Sequence, residues 1–283
     1  MGELMSDERA LVIGGGGVAG IAWANGVIAG LADAGIDLTG ADAYIGTSAG
    51  ANVIAQLTSG LPVEELFRRQ VESALQSAEI VPEGNPLVGV WETVNRIIAD
   101  SGGDMAVVRR RLGNLALAAD TVPEAARRAV IESRLPVHEW PRQRLLITAV
   151  DATTGELRVF DRDSGVPLVD AVAASSAVPL VWPPHTVDGV RYTDGGIRTS
   201  VNADLAAGFD RVLIIAPLAD PALDDEIAGL VERGARVELI TPDEAAVAAF
   251  GANPLDTASR VPSAHAGRVQ GKSAAVHVAE LWG

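Results

Sequence analysis

Ala10-Leu11-Val12-Ile13-Gly14-Gly15-Gly16-Gly17-Val18-Ala19-Gly20 places a continuous apolar run directly before four glycines. Four apolar residues bounded by a turn signal read as a strand buried on both faces. The spacing from about Ile21 to Ala34, stopped at Gly35, reads as the helix that follows. Glycine has no Cβ, so such a loop can take positive φ and bring several N–H groups against an anion at a helix N-terminus. Two anions fit. Gly15-x-Gly17-x-x-Gly20 matches the dinucleotide fingerprint, where the anion is a pyrophosphate. The same amides suit the oxyanion that develops on an ester carbonyl.

A second strand, about Ala41 to Ile45, runs into Gly46-Thr47-Ser48-Ala49-Gly50 and a small-residue helix to about Ser59. A dinucleotide unit needs an acid at the end of this strand for the ribose hydroxyls. Asp37 lies in the connecting loop and Asp42 at the very start of the strand, which ends in Gly46-Thr47-Ser48. Between strand and helix, Gly46-x-Ser48-x-Gly50 has the layout of a nucleophile elbow: glycines at 46 and 50 permit a sharp turn that exposes the serine hydroxyl. Two loops after two parallel strands open at the same sheet edge. A glycine loop beside that serine is better explained as an oxyanion hole than as a phosphate cradle.

Further out, strand patterns are expected at 144–151, 156–160 and 236–240, with a hairpin at Val187-Asp188-Gly189-Val190 and a strand at 211–216. Helical patterns cover 62–78, 168–177, 224–233, 243–250 and the C-terminus. Alternation at this spacing predicts an α/β fold, a three-layer α/β/α sandwich around a mostly parallel sheet. We expect one domain over 9–283, a flexible segment over 1–8, and a helical insert or lid over about 81–142. The terminal segment carrying His265 and His277 reads as an ordinary surface helix.

The chain has 283 residues, 48% of them apolar, so a large core is available. With no cysteine it can have neither a disulfide nor a thiolate nucleophile, and its four histidines show no metal-ligand spacing. No metal and no cofactor are expected. The charged N-terminus lacks a signal-peptide layout and no apolar run is long enough to span a bilayer, which suggests a cytoplasmic protein. Met1-Gly2 with Ser6 also fits a myristoylation pattern. A net charge of −15 opposes nucleic-acid binding. Residues 104–144 nevertheless carry eight arginines against five acids, a net +3, leaving −18 elsewhere. That stretch is either a solvated helical face or a surface for transient contact with anionic membrane head groups.

A serine needs a base. None of the histidines has a persuasive setting; His185, after Pro183-Pro184, reads as loop. Asp194, in Tyr192-Thr193-Asp194-Gly195-Gly196, stands at a strand end, and it could serve only if buried close to Ser48.

Three blocks, Gly15-Gly16-Gly17-Val18-Ala19-Gly20, Gly46-Thr47-Ser48-Ala49-Gly50 and Asp194-Gly195-Gly196, resemble those of the patatin-like phospholipases in order and spacing. Ala174-Ser175-Ser176-Ala177-Val178-Pro179 with Pro183-Pro184 is similar to that family's block before the aspartate, so the resemblance covers about 10–216. It implies a patatin-like fold and a Ser–Asp dyad without histidine: Ser48 as nucleophile, Asp194 as base, and the amides of Gly15, Gly16, Gly17 and Val18 as oxyanion hole. The substrate would be a lipid or carboxylic ester. One departure is Ala19, where the family usually has a basic residue, so anchoring of an anionic head group by that loop is not implied. Trp91, Val178, Leu180 and Trp182 are candidates for an acyl-chain lining. A nucleotide-binding module and a non-catalytic scaffold of the same fold are the alternatives.

Overall fold

The computed structural model describes residues 7–283. In chain order its strands are β1 (Arg9–Ile13), β2 (Ala43–Thr47), β3 (Arg144–Asp151), β4 (Leu157–Phe160), β5 (His185–Val187), β6 (Val190–Asp194), β7 (Arg211–Ile215) and β8 (Arg236–Ile240). The helices are α1 (Gly17–Asp33), α2 (Ala49–Leu57), α3 (Val63–Val71), α4 (Pro86–Asp100), α5 (Met105–Ala118), α6 (Glu124–Arg134), α7 (Leu168–Ser175), α8 (Leu223–Glu232), α9 (Glu244–Phe250) and α10 (Arg260–Trp282). All eight strands join one sheet, with parallel order β3-β2-β1-β7-β8; β4 and β6 each pair antiparallel with β3, and β5 pairs antiparallel with β6.

Strand alternation divides the core into two layers. Leu11, Ile13, Tyr44, Leu213 and Ile215 point to the face covered by α1, α2, α7 and α10. Ala10, Val12, Ala43, Ile45, Val212 and Ile214 point to the other face, where Leu223 and Leu230 of α8 pack. Helices on both faces of a mixed sheet make the expected α/β sandwich.

Pairing along β3 matters most for the site. Residues 144–148 of β3 pair with β2, residues 147–150 with β4, and residues 149–151 with β6. A strand has two edges, so the overlaps put β4 on one edge and both β2 and β6 on the other. There β2 rises to Thr47, level with Thr148, and β6 descends to Asp194, level with Ala149. The two strands meet tip to tip.

Several local expectations change. Helix α1 begins at Gly17, not near Ile21, so the glycine run itself enters the helix. The helix expected over 62–78 ends at Val71, after which the chain turns inward and buries Glu79. The terminal helix is not an ordinary surface helix, because α10 lies along α1 with Gly26 and Gly30 facing Gly267 and Gly271. A Cβ at any of these four would stand 2.2 Å from a backbone oxygen of the other helix. The stretch 81–142 is not uniform either. Helices α4 and α5 pack small apolar clusters of their own, whereas Ile131 and Leu135, on and just after α6, enter the main core. Asp7 and Glu8 are tied to the body: Asp7 pairs with Arg211, and the Glu8 carbonyl accepts the Asp210 and Arg211 amides. The rest of the segment expected to be flexible, and the myristoylation pattern, lie outside the described residues. Among the described residues no helix is long and apolar enough to cross a membrane.

Candidate active site

Ser48 sits between β2 and α2 with φ 54° and ψ −110°, in a region that side chains rarely occupy. Such strain persists only where the surroundings over-determine it, and here they do. A Cβ on Gly50 would lie 1.9 Å from the Ile13 carbonyl oxygen, and one on Gly46 would lie 2.7 Å from Ile54 Cδ1. Absence of side chains at 46 and 50 therefore lets α2 start hard against β1. The Ser48 amide donates to Ser175 Oγ at 2.8 Å, and Asn52 Nδ2 donates to the Ser48 carbonyl at 2.9 Å and to Ser176 Oγ at 3.1 Å. These contacts explain the small-residue block at 174–179: its serines hold the elbow, and its Ala177 carbonyl accepts the Asp194 amide at 2.9 Å.

Asp194 is 4% exposed and Ser48 8%. The Gly196 amide donates to Asp194 Oδ1 at 2.7 Å, while Oδ2 is buried with no hydrogen-bond donor among the described residues. Burial pushes this carboxyl up to about 6, against the opposing pull of the Ser48 hydroxyl, the Gly196 amide and the Arg127 charge. The hydroxyl is thus close enough to favour the carboxylate, although no formed Ser48–Asp194 hydrogen bond is present. Catalytic hydrogen bonds are often loose until substrate arrives.

The glycine loop faces the same point. Gly15 donates its amide to the Ser200 carbonyl at 2.8 Å and is not free to bind an oxyanion; its lack of Cβ leaves room beside Ser48 instead. The amides of Gly16, Gly17 and Val18, at the start of α1, have no backbone acceptor among the described residues, and Ala19 donates to the Pro254 carbonyl. The Ala49 amide, first in α2, is likewise unpaired. Sequence reasoning overlooked it, although the residue after an elbow nucleophile is a usual oxyanion donor.

Gly17, Val18, Ser48 and Ala49 border a cavity of about 20 Å³ that is also lined by Ile80, Arg127, Val178, Trp182 and Leu255. That is space for about one water. Val178 and Trp182 line it as expected; Leu180 packs beside α4, and Trp91 is 56% exposed on the outer face of α4, so it is no part of this lining. His185 is not in an exposed loop. It is buried in β5 with Nε2 2.9 Å from Asp170 Oδ1 and Nδ1 3.4 Å from Glu124 Oε1, in an ion cluster with Arg128. The arginines of 104–144 are not all a solvated face: Arg127 and Arg134 turn inward. No spacing rule in the sequence signals these two, or the buried Glu79 that Arg134 meets.

No curated protein matches the chain. Among solved structures it is similar to VipD from Legionella pneumophila, at 14% identity and TM-score 0.46, covering 95% of this chain and 67% of that one. It is also similar to the type III effector ExoU of Pseudomonas aeruginosa (16%, TM-score 0.42, 97% and 54%) and to human GIVD cytosolic phospholipase A2 in complex with methyl gamma-linolenyl fluorophosphonate (10%, TM-score 0.49, 100% and 60%). The chain spans between about half and two thirds of the length of these structures. The model of one family, described as patatin-like phospholipase, matches residues 11–207, and the chain belongs to that family.

Proposed function

We propose that this chain is a serine acyl hydrolase that cleaves lipid or carboxylic esters through Ser48 and Asp194. Family membership supports lipid hydrolysis in general. The observation that carries the finer reading is the strained Ser48 beside a buried Asp194 whose Oδ2 lacks a donor. Ser48 Oγ attacks the ester carbonyl carbon while its proton passes to Asp194, and the tetrahedral oxyanion is held by the amides of Gly16, Gly17, Val18 and Ala49. The carbon–oxygen bond to the alcohol breaks, and Asp194 returns the proton to the leaving oxygen. Water, deprotonated by Asp194, then attacks the acyl-serine; the acid departs and Ser48 regains a proton. Gly17 and Val18 at the start of α1 and Ala49 at the start of α2 border the same cavity as Ser48, so the positive ends of both helices favour the proposed oxyanion.

Labelling with a fluorophosphonate, followed by peptide mass spectrometry, tests this directly. One adduct on Ser48 is expected, absent in Ser48→Ala and formed on the order of 10²-fold more slowly in Asp194→Asn. Folded wild type without an adduct at Ser48 would remove the catalytic reading.

Transient contact with a lipid surface is a second part of the proposal, favoured by the outer face of α4 and α5. Val88 and Trp91 of α4 and Met105 and Leu115 of α5 are exposed, as are Arg110 and Arg111. Replacing Arg110 and Arg111 with glutamine is expected to weaken sedimentation with anionic vesicles by roughly 1 kcal/mol per charge. Equal binding by the variant would exclude this face. Arg109 is left intact because its Nε donates to the Gly155 carbonyl.

A further inference from the structure

Helix α6 turns Arg127 and Arg134, seven positions apart, toward the buried Glu79. The two oxygens of Glu79 are engaged without Arg127. Arg134 Nε and Nη2 donate to them at 2.9 and 2.6 Å, and Arg260 Nη2 donates to Oε1 at 2.7 Å. Arg127 Nη1 is left 4.0 Å from Oε2, and its Nε and Nη1 are buried with no acceptor among the described residues. Its guanidinium stands over the Trp182 ring, 4.0 Å from the centroid, and both side chains border the cavity at Ser48.

Three guanidinium groups against Glu79 and an ionised Asp194 leave one positive charge uncompensated inside the protein. An unpaired buried charge is costly, and an anionic ligand against it relieves that cost. Burial, with repulsion from Arg134, pulls the Arg127 guanidinium down to about 9. The first glycine block brings no cation of its own, since Ala19 is fully buried with its amide on Pro254.

We propose that Arg127, stacked on Trp182, forms a binding site for a phosphate group beside the ester bond that Ser48 attacks, in the cavity as it widens when Leu255 moves aside. An arginine edge presenting Nε and Nη matches two oxygens of one phosphate with charge-assisted hydrogen bonds. The site rests on the acyl-hydrolase reading of Ser48 for its role in substrate choice, but not for the binding itself.

The full chain serves for the test. In Ser48→Ala, which cannot turn over, calorimetry is expected to give saturable binding of sn-glycerol 3-phosphate and none of glycerol, weakened about tenfold or more by adding Arg127→Gln. With wild type, kcat/KM for 1-hexanoylglycerol 3-phosphate relative to 1-hexanoylglycerol is expected to drop by a similar factor in Arg127→Gln and to recover in part in Arg127→Lys. Should Arg127→Gln fail to fold, slower fluorophosphonate labelling of wild-type Ser48 under glycerol 3-phosphate, but not under glycerol, supports the site. Glycerol 3-phosphate that neither binds nor protects overturns it, as does a glutamine variant with unaltered binding. Inorganic phosphate that binds equally well, with the substrate ratio unmoved in Arg127→Gln, assigns the site to free phosphate and overturns its role in substrate choice. If no ester is cleaved and Ser48 is never labelled, the hydrolase reading fails, while the calorimetry still decides the phosphate site.

Discussion

Asp194, the base of the proposed mechanism, carries a chemical compromise in one carboxyl group. A carboxylate of ordinary pKa is a poor base, and burial raises this one to about 6, nearer the working pH of a general base. In the proposed mechanism the base must be ionised, so ester hydrolysis is expected to fall as pH drops through about 6, and a pH–rate profile checks that limb. The same burial has a cost in stability. The folded-state pKa lies above the unfolded value of 3.8, so the contribution favours folding below that value and is lost as pH rises through about 6. Asp194→Asn keeps an acceptor for the Gly196 amide and removes the charge. It is expected to be more stable than wild type at pH 7.5 by on the order of 1–3 kcal/mol, with the difference vanishing near pH 4. Urea melts at the two pH values measure it; equal stability at pH 7.5 would mean that the carboxylate is adequately solvated.

Between elements, backbone proximity replaces side-chain packing at two places. Gly50 lets α2 press on β1, and the four glycines of α1 and α10 let those helices touch along their main chains. Gly30→Ala or Gly271→Ala would drive a Cβ to 2.2 Å from the Arg268 or Val27 carbonyl oxygen, so the helices must separate. We expect each to lose about 1–3 kcal/mol or more in chemical denaturation. Gly89 in α4 has nothing within 4 Å of an added Cβ, and Gly89→Ala is expected to gain about 0.5–1 kcal/mol in the same assay. A similar loss at all three positions would refute the close crossing as the cause.

Across the whole molecule, segments distant in sequence close the site. Leu255, from the loop before α10, is 6% exposed, and its Cδ2 would stand 2.9 Å from a Cβ on Gly17. It packs with Val90 of α4 and with Val181 and Trp182. The cavity of about 20 Å³ is too small for an acyl chain, so the proposed substrate requires its lining to move, and Leu255 is the apolar side chain against Gly17. Leu255→Ala is expected to lose about 2–4 kcal/mol of stability and to raise kcat/KM for long-chain over short-chain esters several-fold. Steady-state kinetics on a p-nitrophenyl ester series would reveal it, and an unchanged ratio would place the acyl entrance elsewhere.

Local patterns specify the parts of this site because their causes are local. A strand buried on both faces, a glycine run and a GxSxG turn are written in adjacent residues, so Ser48, Gly46, Gly50 and the loop beside them are legible in the sequence. Asp194 is legible as an acid at a strand end, but its position opposite Ser48 depends on β2 and β6 sharing one edge of β3. Register between strands about 150 residues apart has no local signature. The same limit hid the engagement of Gly15 by Ser200, the burial of His185, and the glycine crossing of α1 and α10, each of which depends on a partner distant in the chain. It also made an inward-facing Arg127 indistinguishable from its exposed neighbours in a basic helical stretch. Residue type and spacing determine which groups a segment can offer; only the folded sheet decides which of them lose water and face one another.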